Sequence, residues 1–298
     1  MILQLLYNMQ ALYLKKNTRS HESSFKMNHA IVPHMYDQWH YHQELEINLI
    51  LKGSGTRFVG DNIQSFTDED LVLVGSNLPH VWKNDAVYYE GLPELYADVI
   101  NIHFLPDFAG KDFFQMPEMQ AVSDLLERSK RGIRFKGKCK KAIKEMMVNM
   151  QGQPDGEKLL TLLQILNLMA HSHETEMLST SGFSKAYKDS NLEKINRIYD
   201  YIINNFSHEI SLAQVASLAH MNEAAFCRYF KNATKKTFTQ FVNETRIGYA
   251  CKLLIDGNLN VSQICYECGF NNISNFNRQF KRITGKTPQA YQVEYRKI

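Results

Sequence analysis

The chain's 298 residues, 44% hydrophobic and 22% charged, suffice for two separate cores and have the balance of a folded globular protein, not of a disordered or fibrous one. No apolar run approaches the ~18 residues that cross a bilayer, and five cysteines at 139, 227, 251, 265 and 268 make no disulfide framework, which suits a reducing cytoplasmic setting. The formal charge of +3 is unevenly spread: from Asn191 onward fourteen Lys/Arg face eight Asp/Glu, so a polyanion partner is expected for that part alone. The first 26 residues begin MILQLLYNMQALYLKK, without a basic leader or a small-residue cleavage site. They read as a helix or an unordered extension, with Met9 and Met27 as alternative starts.

From Met27 to Phe104 the texture is β. Leu45, Ile47, Leu49 and Leu51 alternate with Glu44, Glu46 and Asn48, which predicts a half-buried strand. Lys52-Gly53-Ser54-Gly55 turns the chain into a return strand, Thr56–Val59. Further short strands are expected at Leu71–Val74, His80–Lys83, Ala86–Glu90 and Asp98–Phe104, giving a small barrel or sandwich. His40, His42 and Glu46 share parity and so project from one side of a strand. The apolar residues lie on the opposite face, so a solvated His/Glu face is one reading and a buried site the other.

His40-Tyr-His42, Glu46 and Gly53, with His80-Val-Trp-Lys-Asn84 downstream, resemble the two cupin motifs, and the surrounding DLVLVGSNLPHVW resembles the sensor cupins fused to AraC-type regulators. The resemblance implies a small-molecule pocket lined by His40, His42, Glu46, Arg57, His80 and Trp82, with a carbohydrate or its derivative as effector. Its alternative is one divalent metal on His40, His42, Glu46 and His80, and a barrel without ligand is the third reading.

Helical periodicity begins after Asp112, at Met119–Arg128 and Cys139–Met150. Past Gly152-Gln-Pro-Asp-Gly156, residues Glu157–His171 carry a stripe of Leu159, Leu163, Leu166 and Ala170, widened by Leu160, Leu162, Ile165, Leu168 and Met169. So much apolar circumference must bury more than one face, which predicts packing on the barrel and against a second copy in a homodimer; an intramolecular hairpin is the alternative. Residues 172–190, rich in Ser and Thr, read as an interdomain linker. The expected plan is an N-terminal extension (1–26), a cupin-like sensor and dimerisation domain (27–171), that linker, and a DNA-binding domain (191–298, core 195–293).

The C-terminal part is written twice. Ile210–Phe241 and Asn260–Tyr291 align at an offset of 49 before a turn and 50 after it, so Phe226, Arg228, Phe230 and Lys231 meet Phe276, Arg278, Phe280 and Lys281. Each copy predicts a short helix, a turn and a second helix. Ser211 caps the first helix and Asn222 the second. Cys265 and Cys268 occupy the places of Ala216 and Ala219, so they read as small core residues and not as a redox pair or a zinc site. The outer faces carry Asn222, Ala224, Cys227, Arg228 and Lys231 in one copy and Ser274, Asn275, Asn277, Arg278 and Lys281 in the other. Arg bonds bidentately to guanine O6 and N7, and Asn to adenine N6 and N7, so these are side chains suited to major-groove reading. Lys235, Lys236, Lys281, Arg282 and Lys286 sit at helix ends, where phosphate contact is expected. A long helix, Phe238 to about Leu254, joins the copies and ends at Asp256-Gly257.

The run Arg246-Ile247, Ala250, Leu253-Leu254, Gly269-Phe270, Asn275-Phe276, Arg278, Phe280-Lys281, Gly285, Thr287-Pro288 and Tyr291 resembles the AraC/XylS-type DNA-binding domain over about 100 residues, Ile195 to Val293. That resemblance implies an α+β chain of two domains, an all-α reader with two helix-turn-helix motifs behind the cupin-like barrel. It further implies a sequence-specific transcription regulator, an effector-responsive activator that binds double-stranded DNA as a dimer and meets RNA polymerase. The alternatives are a metal-dependent cupin enzyme carrying a DNA-binding appendage and a ligand-independent regulator. Ala224 and Ala225 replace longer readers in the first copy, so more base specificity is expected from the second.

Overall fold

A computed structural model describes residues 12–14, 23–180, 183, 192–234 and 236–295. The N-terminal half holds two facing sheets. One runs β1 (Leu12–Tyr13), β3 (His40–Tyr41), β8 (His80–Asn84), β5 (Gly55–Val59), β6 (Asn62–Phe66). The other runs β11 (Thr175–Met177), β10 (Ile133–Phe135), β7 (Asp70–Val74), β4 (Leu45–Lys52), β9 (Ala97–Phe104), β2 (Phe25–Val32). The pairings are antiparallel except that of β1 with β3, which makes the described part of the N-terminal extension a strand and not a helix. The remainder of the expected extension lies outside the described residues.

No backbone ladder joins the two sheets among the described residues, so the barrel is not closed. Side chains bridge it instead: Gln64 of β6 donates to Glu176 of β11 at 2.9 Å, and Arg57 of β5 pairs with Asp70 of β7.

The alternation in β4 is real, but both of its faces are buried. Leu45, Ile47 and Leu49 pack into one core with three helices, α1 (Gln120–Arg128), α2 (Gly137–Met150) and α3 (Asp155–Ala170). Each such aliphatic side chain contributes roughly 1.5–3 kcal/mol when fully removed from water. The helices therefore cover the apolar face, and Glu46, Asn48 and Ile50 point between the sheets, all buried. The solvated-face reading of the His/Glu residues is thereby overturned.

Two further elements differ from expectation. Ala86–Glu90 is a short 3-10 helix, closed by the Tyr88 amide donating to the Asp85 carbonyl at 2.9 Å and ended by left-handed Gly91. Its aromatic residues suggested a strand, but the local i→i+3 bond wins where no neighbouring strand offers a ladder. Thr175–Met177, inside the stretch read as linker, is a strand paired with β10.

The C-terminal half is helical: α4 (Leu192–Asn205), α5 (Leu212–Leu218), α6 (Glu223–Thr234), α7 (Phe238–Asp256), α8 (Val261–Glu267), α9 (Ile273–Thr284) and α10 (Pro288–Tyr295). Thr237 and Gln240 form a capping box that starts α7, and Gly257, left-handed at φ 69°, ends it. Asn260 and Gln263 repeat the box at α8. Ser211, by contrast, stands at the start of α5 without a side-chain capping bond.

Candidate sensor cavity and nucleic-acid interface

Between the sheets, the strand registers place Glu46 of β4 opposite His103 of β9. His42 Nε2 and His103 Nε2 each lie 3.1 Å from Glu46 Oε2, and His80 Nε2 lies 3.3 Å away. Nδ1 of three histidines here is tied to a backbone carbonyl: His40 to Gln38 at 2.8 Å, His42 to Glu44 at 3.0 Å and His80 to Leu78 at 2.7 Å. A carbonyl only accepts, so in each of these three rings Nδ1 carries the proton; Nε2 is then an inward-facing lone pair when the ring is neutral, and that of His42 or His80 donates to Glu46 only when the ring is protonated. Glu46 Oε1 accepts from Asn48 Nδ2 at 3.1 Å and Asn101 Nδ2 at 3.0 Å. Burial pushes the Glu46 carboxyl up. The charge and hydrogen bond of His103, with bonds from His42 and His80, outweigh burial and hold it well below the usual carboxylate range. Burial, then the neighbouring His80, depress His40, which favours its neutral form.

The ligating atoms of His40, His42, Glu46 and His80 all lie within 4.8 Å of one another. Imidazole nitrogens with one carboxylate oxygen are a donor set for zinc, iron, nickel or manganese, so the residues fit a divalent transition ion. His103 was absent from the sequence reading. Its signal was present, since Asn101 and His103 alternate with Ile100, Ile102 and Phe104 as Glu46 and Asn48 alternate with Leu45, Ile47 and Leu49.

A cavity of about 520 Å³ opens beside this cluster, lined by His40, Glu46, His80 and His103 and by Lys26, Asn28, Asn48, Trp82, Val99 and Asn101. That volume suits a small organic ligand. Trp82 and Asn48 are among the lining residues, and their Nε1 and Oδ1 are buried without a hydrogen-bond partner. Of the six residues expected to line a pocket, five gather here, His42 through its contact with Glu46. Arg57 does not. It sits at the level of the Ile50–Asp70 pairing, fully buried, bonded to Asp70 and to Gln64 at 2.9 Å, so its charge is committed within the protein.

The two helix-turn-helix units share one turn geometry. His220 and Gly269 both adopt left-handed backbone, φ 53° and 78°. The Met221 amide then donates to the Ala216 carbonyl at 3.0 Å, and the Phe270 amide to that of Cys265 at 3.1 Å. Glycine is required at 269, where a Cβ would stand 2.6 Å from the Phe206 carbonyl oxygen. The extra residue of the second unit falls after this turn. Asn222 caps α6 by accepting from the Ala225 amide at 2.8 Å, and Asn272 caps α9 by accepting from Ser274 and Asn275 at 2.8 and 3.1 Å.

Asn222, Ala224, Cys227, Arg228 and Lys231 are exposed on the first unit, as are Ser274, Asn277, Arg278 and Lys281 on the second; Asn275 is half-buried. Among the described residues no carboxylate lies within ion-pair reach of Arg228 or Arg278. Arg278 instead donates to Asn275 Oδ1 at 2.9 Å, which orders its guanidinium on the helix face. Cys265 and Cys268 are core residues whose thiols burial pushes up, away from the reactive thiolate. Lys236 departs from expectation: it is half-buried, 3.1 Å from Asp61 and 2.7 Å from Glu244, and so does not lie open to phosphate. Lys235 lies outside the described residues.

A helix-turn-helix domain model matches residues 215–293. The chain is 23% identical over 272 residues to the HTH-type transcriptional regulator YdeC of Bacillus subtilis, covering 86% of each chain. It is 29% identical over 108 residues to the probable transcriptional regulator LumQ of Photobacterium leiognathi, and 30% identical over 102 residues to an HTH-type regulator of Staphylococcus aureus. Those two matches span 36% and 34% of this chain but only 44% and 14% of the relatives. Among solved structures, the DNA-binding domain of AdpA in complex with a target DNA matches 34% of this chain and 90% of that one, at 24% identity and a TM-score of 0.32. ToxT from Vibrio cholerae matches 92% of this chain and 99% of its own, at 15% identity and a TM-score of 0.36.

Proposed function

We propose, from the premise that this chain is a transcription regulator with an AraC-type helix-turn-helix DNA-binding domain, that its N-terminal half senses a small molecule and sets when the domain engages DNA. The observation that carries the sensing role is the pair of buried, unpartnered groups of two lining residues, Trp82 Nε1 and Asn48 Oδ1. A donor and an acceptor left unmade inside a protein each cost about 1–3 kcal/mol, a cost that a ligand bearing hydroxyl or carbonyl groups offsets on binding.

Reading of DNA falls to α6 and α9. Both present arginine and lysine outward from a capped helix, and α7 links them as one rod, so they reach major-groove segments about one turn, roughly 34 Å, apart. Leu160 and Leu168 of α3, 61% and 40% exposed, with Val148 of α2 at 40%, support a homodimer through these helices. Activation through RNA polymerase and a cytoplasmic location complete the reading.

A metal-holding sensor is the second reading, favoured by the approach of His42, His80 and His103 to one oxygen of Glu46. In that case His40, His42, Glu46 and His80 hold the ion, which supplies an electrophilic anchor for an effector oxygen. The two readings separate in one experiment on the purified full chain. Thermal melting is followed against a panel of monosaccharides and sugar acids, and against zinc, nickel and manganese, in wild type, Trp82→Phe and His42→Ala. An organic effector gives stabilisation lost in Trp82→Phe, whereas a metal gives stabilisation lost in His42→Ala. No stabilisation by any ligand, with operator affinity unchanged by all of them, would contradict sensing.

A further inference from the structure

The β5–β6 hairpin turns at Gly60-Asp61, and three separate parts of the chain meet on the Asp61 carboxylate. Ser179 Oγ and the Thr180 amide donate to Oδ1 at 2.7 and 2.8 Å, and Thr180 Oγ1 donates to Oδ2 at 2.7 Å. Lys236, from the α6–α7 turn of the first helix-turn-helix unit, reaches Oδ2 at 3.1 Å and Glu244 at 2.7 Å. Hairpin, start of the interdomain segment and DNA-binding domain are thus tied at one buried carboxylate. The approach is close enough to require glycine at 60, where a Cβ would stand 2.6 Å from Ser179 Oγ.

The same face holds two more contacts. Gly248 of α7 lies against β6, with room for a Cβ only 3.0 Å from the Ile63 carbonyl oxygen. Lys252 of α7 pairs with Asp85, which follows β8.

The turn that carries Lys236 is not shaped by this docking, because the second unit repeats it. Thr234 Oγ1 accepts from the Lys236 amide at 3.1 Å and donates to the Lys236 carbonyl at 2.9 Å. Thr284 makes the same bonds to Lys286 at 3.2 and 3.1 Å. The backbone of Lys236 is therefore preset by the repeat, and its ammonium is held between Glu244 of its own domain and Asp61 of the N-terminal half.

We propose that Asp61 is a latch, holding Lys236 away from DNA phosphate while the first unit is docked on the sensor sheet, and that opening this latch adds Lys236 to the DNA contact. The proposal rests on the DNA-binding reading above. Burial pushes the Asp61 carboxyl up, but Lys236 and the three donors of Ser179 and Thr180 hold it below its ordinary value, which keeps it charged in the closed state.

Each phosphate neutralised adds about 0.9 to the slope of log affinity against log salt. The test measures that slope for the full chain on a duplex of arbitrary sequence, with melting curves to establish folding. In the wild-type sensor, Lys236→Ala leaves the slope unchanged. Asp61→Asn raises affinity and steepens the slope by about 0.9, and Lys236→Ala in that background returns it to the wild-type value. Gly248→Leu wedges the same interface from α7 without touching a charge, and steepens the slope likewise through Lys236. A shallower slope for Lys236→Ala alone, or an unchanged slope in folded Asp61→Asn or Gly248→Leu, would overturn the latch. Absence of wild-type affinity for any duplex would instead overturn the DNA-binding reading beneath it.

Discussion

The two helix-turn-helix units are built from one pattern and stand in different surroundings. In the first, Ile198, Tyr199, Phe226, Phe230 and Phe241 belong to a single buried cluster with Trp39, Val59 and Val81 of the N-terminal half. Tyr199 lies at the junction, its ring 6.2 Å from Trp39, 5.5 Å from Phe183 and 4.7 Å from Phe241. In the second, Ile247, Leu254, Ile264, Phe276 and Phe280 form a core of their own. One unit shares a core with the N-terminal half, while the other keeps a core of its own along α7. Repetition in sequence has fixed the local turn in both, but burial of the neighbouring surface decides which unit is coupled to the N-terminal half.

Core truncation should break this comparison most visibly. Phe230 and Phe280 are aligned and both fully buried, so Phe230→Ala and Phe280→Ala should each cost about 3–5 kcal/mol locally. In calorimetry of the full chain, Phe230→Ala lowers the transition in which the N-terminal half unfolds. Phe280→Ala splits off an earlier, smaller transition and leaves the main one in place. Equal behaviour of the two variants would mean that the cores are not distinct.

DNA reading gives the next largest effect. Arg278→Ala should weaken operator binding by about 1–3 kcal/mol and relax preference at one base pair, while Arg228→Ala costs less because Ala224 and Ala225 leave the first face thin. Binding curves on operator and scrambled duplexes check this, with Lys281→Ala as a phosphate control that weakens both duplexes alike. Loss of the same size on both for Arg278→Ala would show that it reads no base.

The smallest effect contrasts the caps. Asn260 makes a capping box and Ser211, its counterpart at the start of the other unit, makes no side-chain cap. Asn260→Ala should cost about 1 kcal/mol by chemical denaturation, and Ser211→Ala at most a few tenths.

These contrasts also mark what a reader of the sequence could see. Periodicity and repetition exposed α5 to α9, because helix faces and turns are local properties. The motif spacing exposed His40, His42, Glu46 and His80, but not for the reason of shared parity: His40 lies on β3 of one sheet, Glu46 on β4 of the other and His42 between them, so it is the facing of the two sheets that gathers them. What stayed hidden depends on register between distant strands: His103 joins Glu46 only because β9 pairs with β4. The same limit misplaced Arg57, whose face toward the interior was legible but whose pairing with Asp70 was not. It also hid the role of Lys236, since nothing near it in the chain announces Asp61, and it left Thr175–Met177 within a linker where its partner strand was not apparent.

The coupling of the first unit to the N-terminal half is tested most directly by native-state hydrogen exchange of the full chain, resolved by peptide. The account predicts that amides of α6 open with those of β5 and β8, at one shared free energy, and that α9 opens separately and more readily. Exchange of α6 and α9 together, at an energy different from that of β5 and β8, would contradict it.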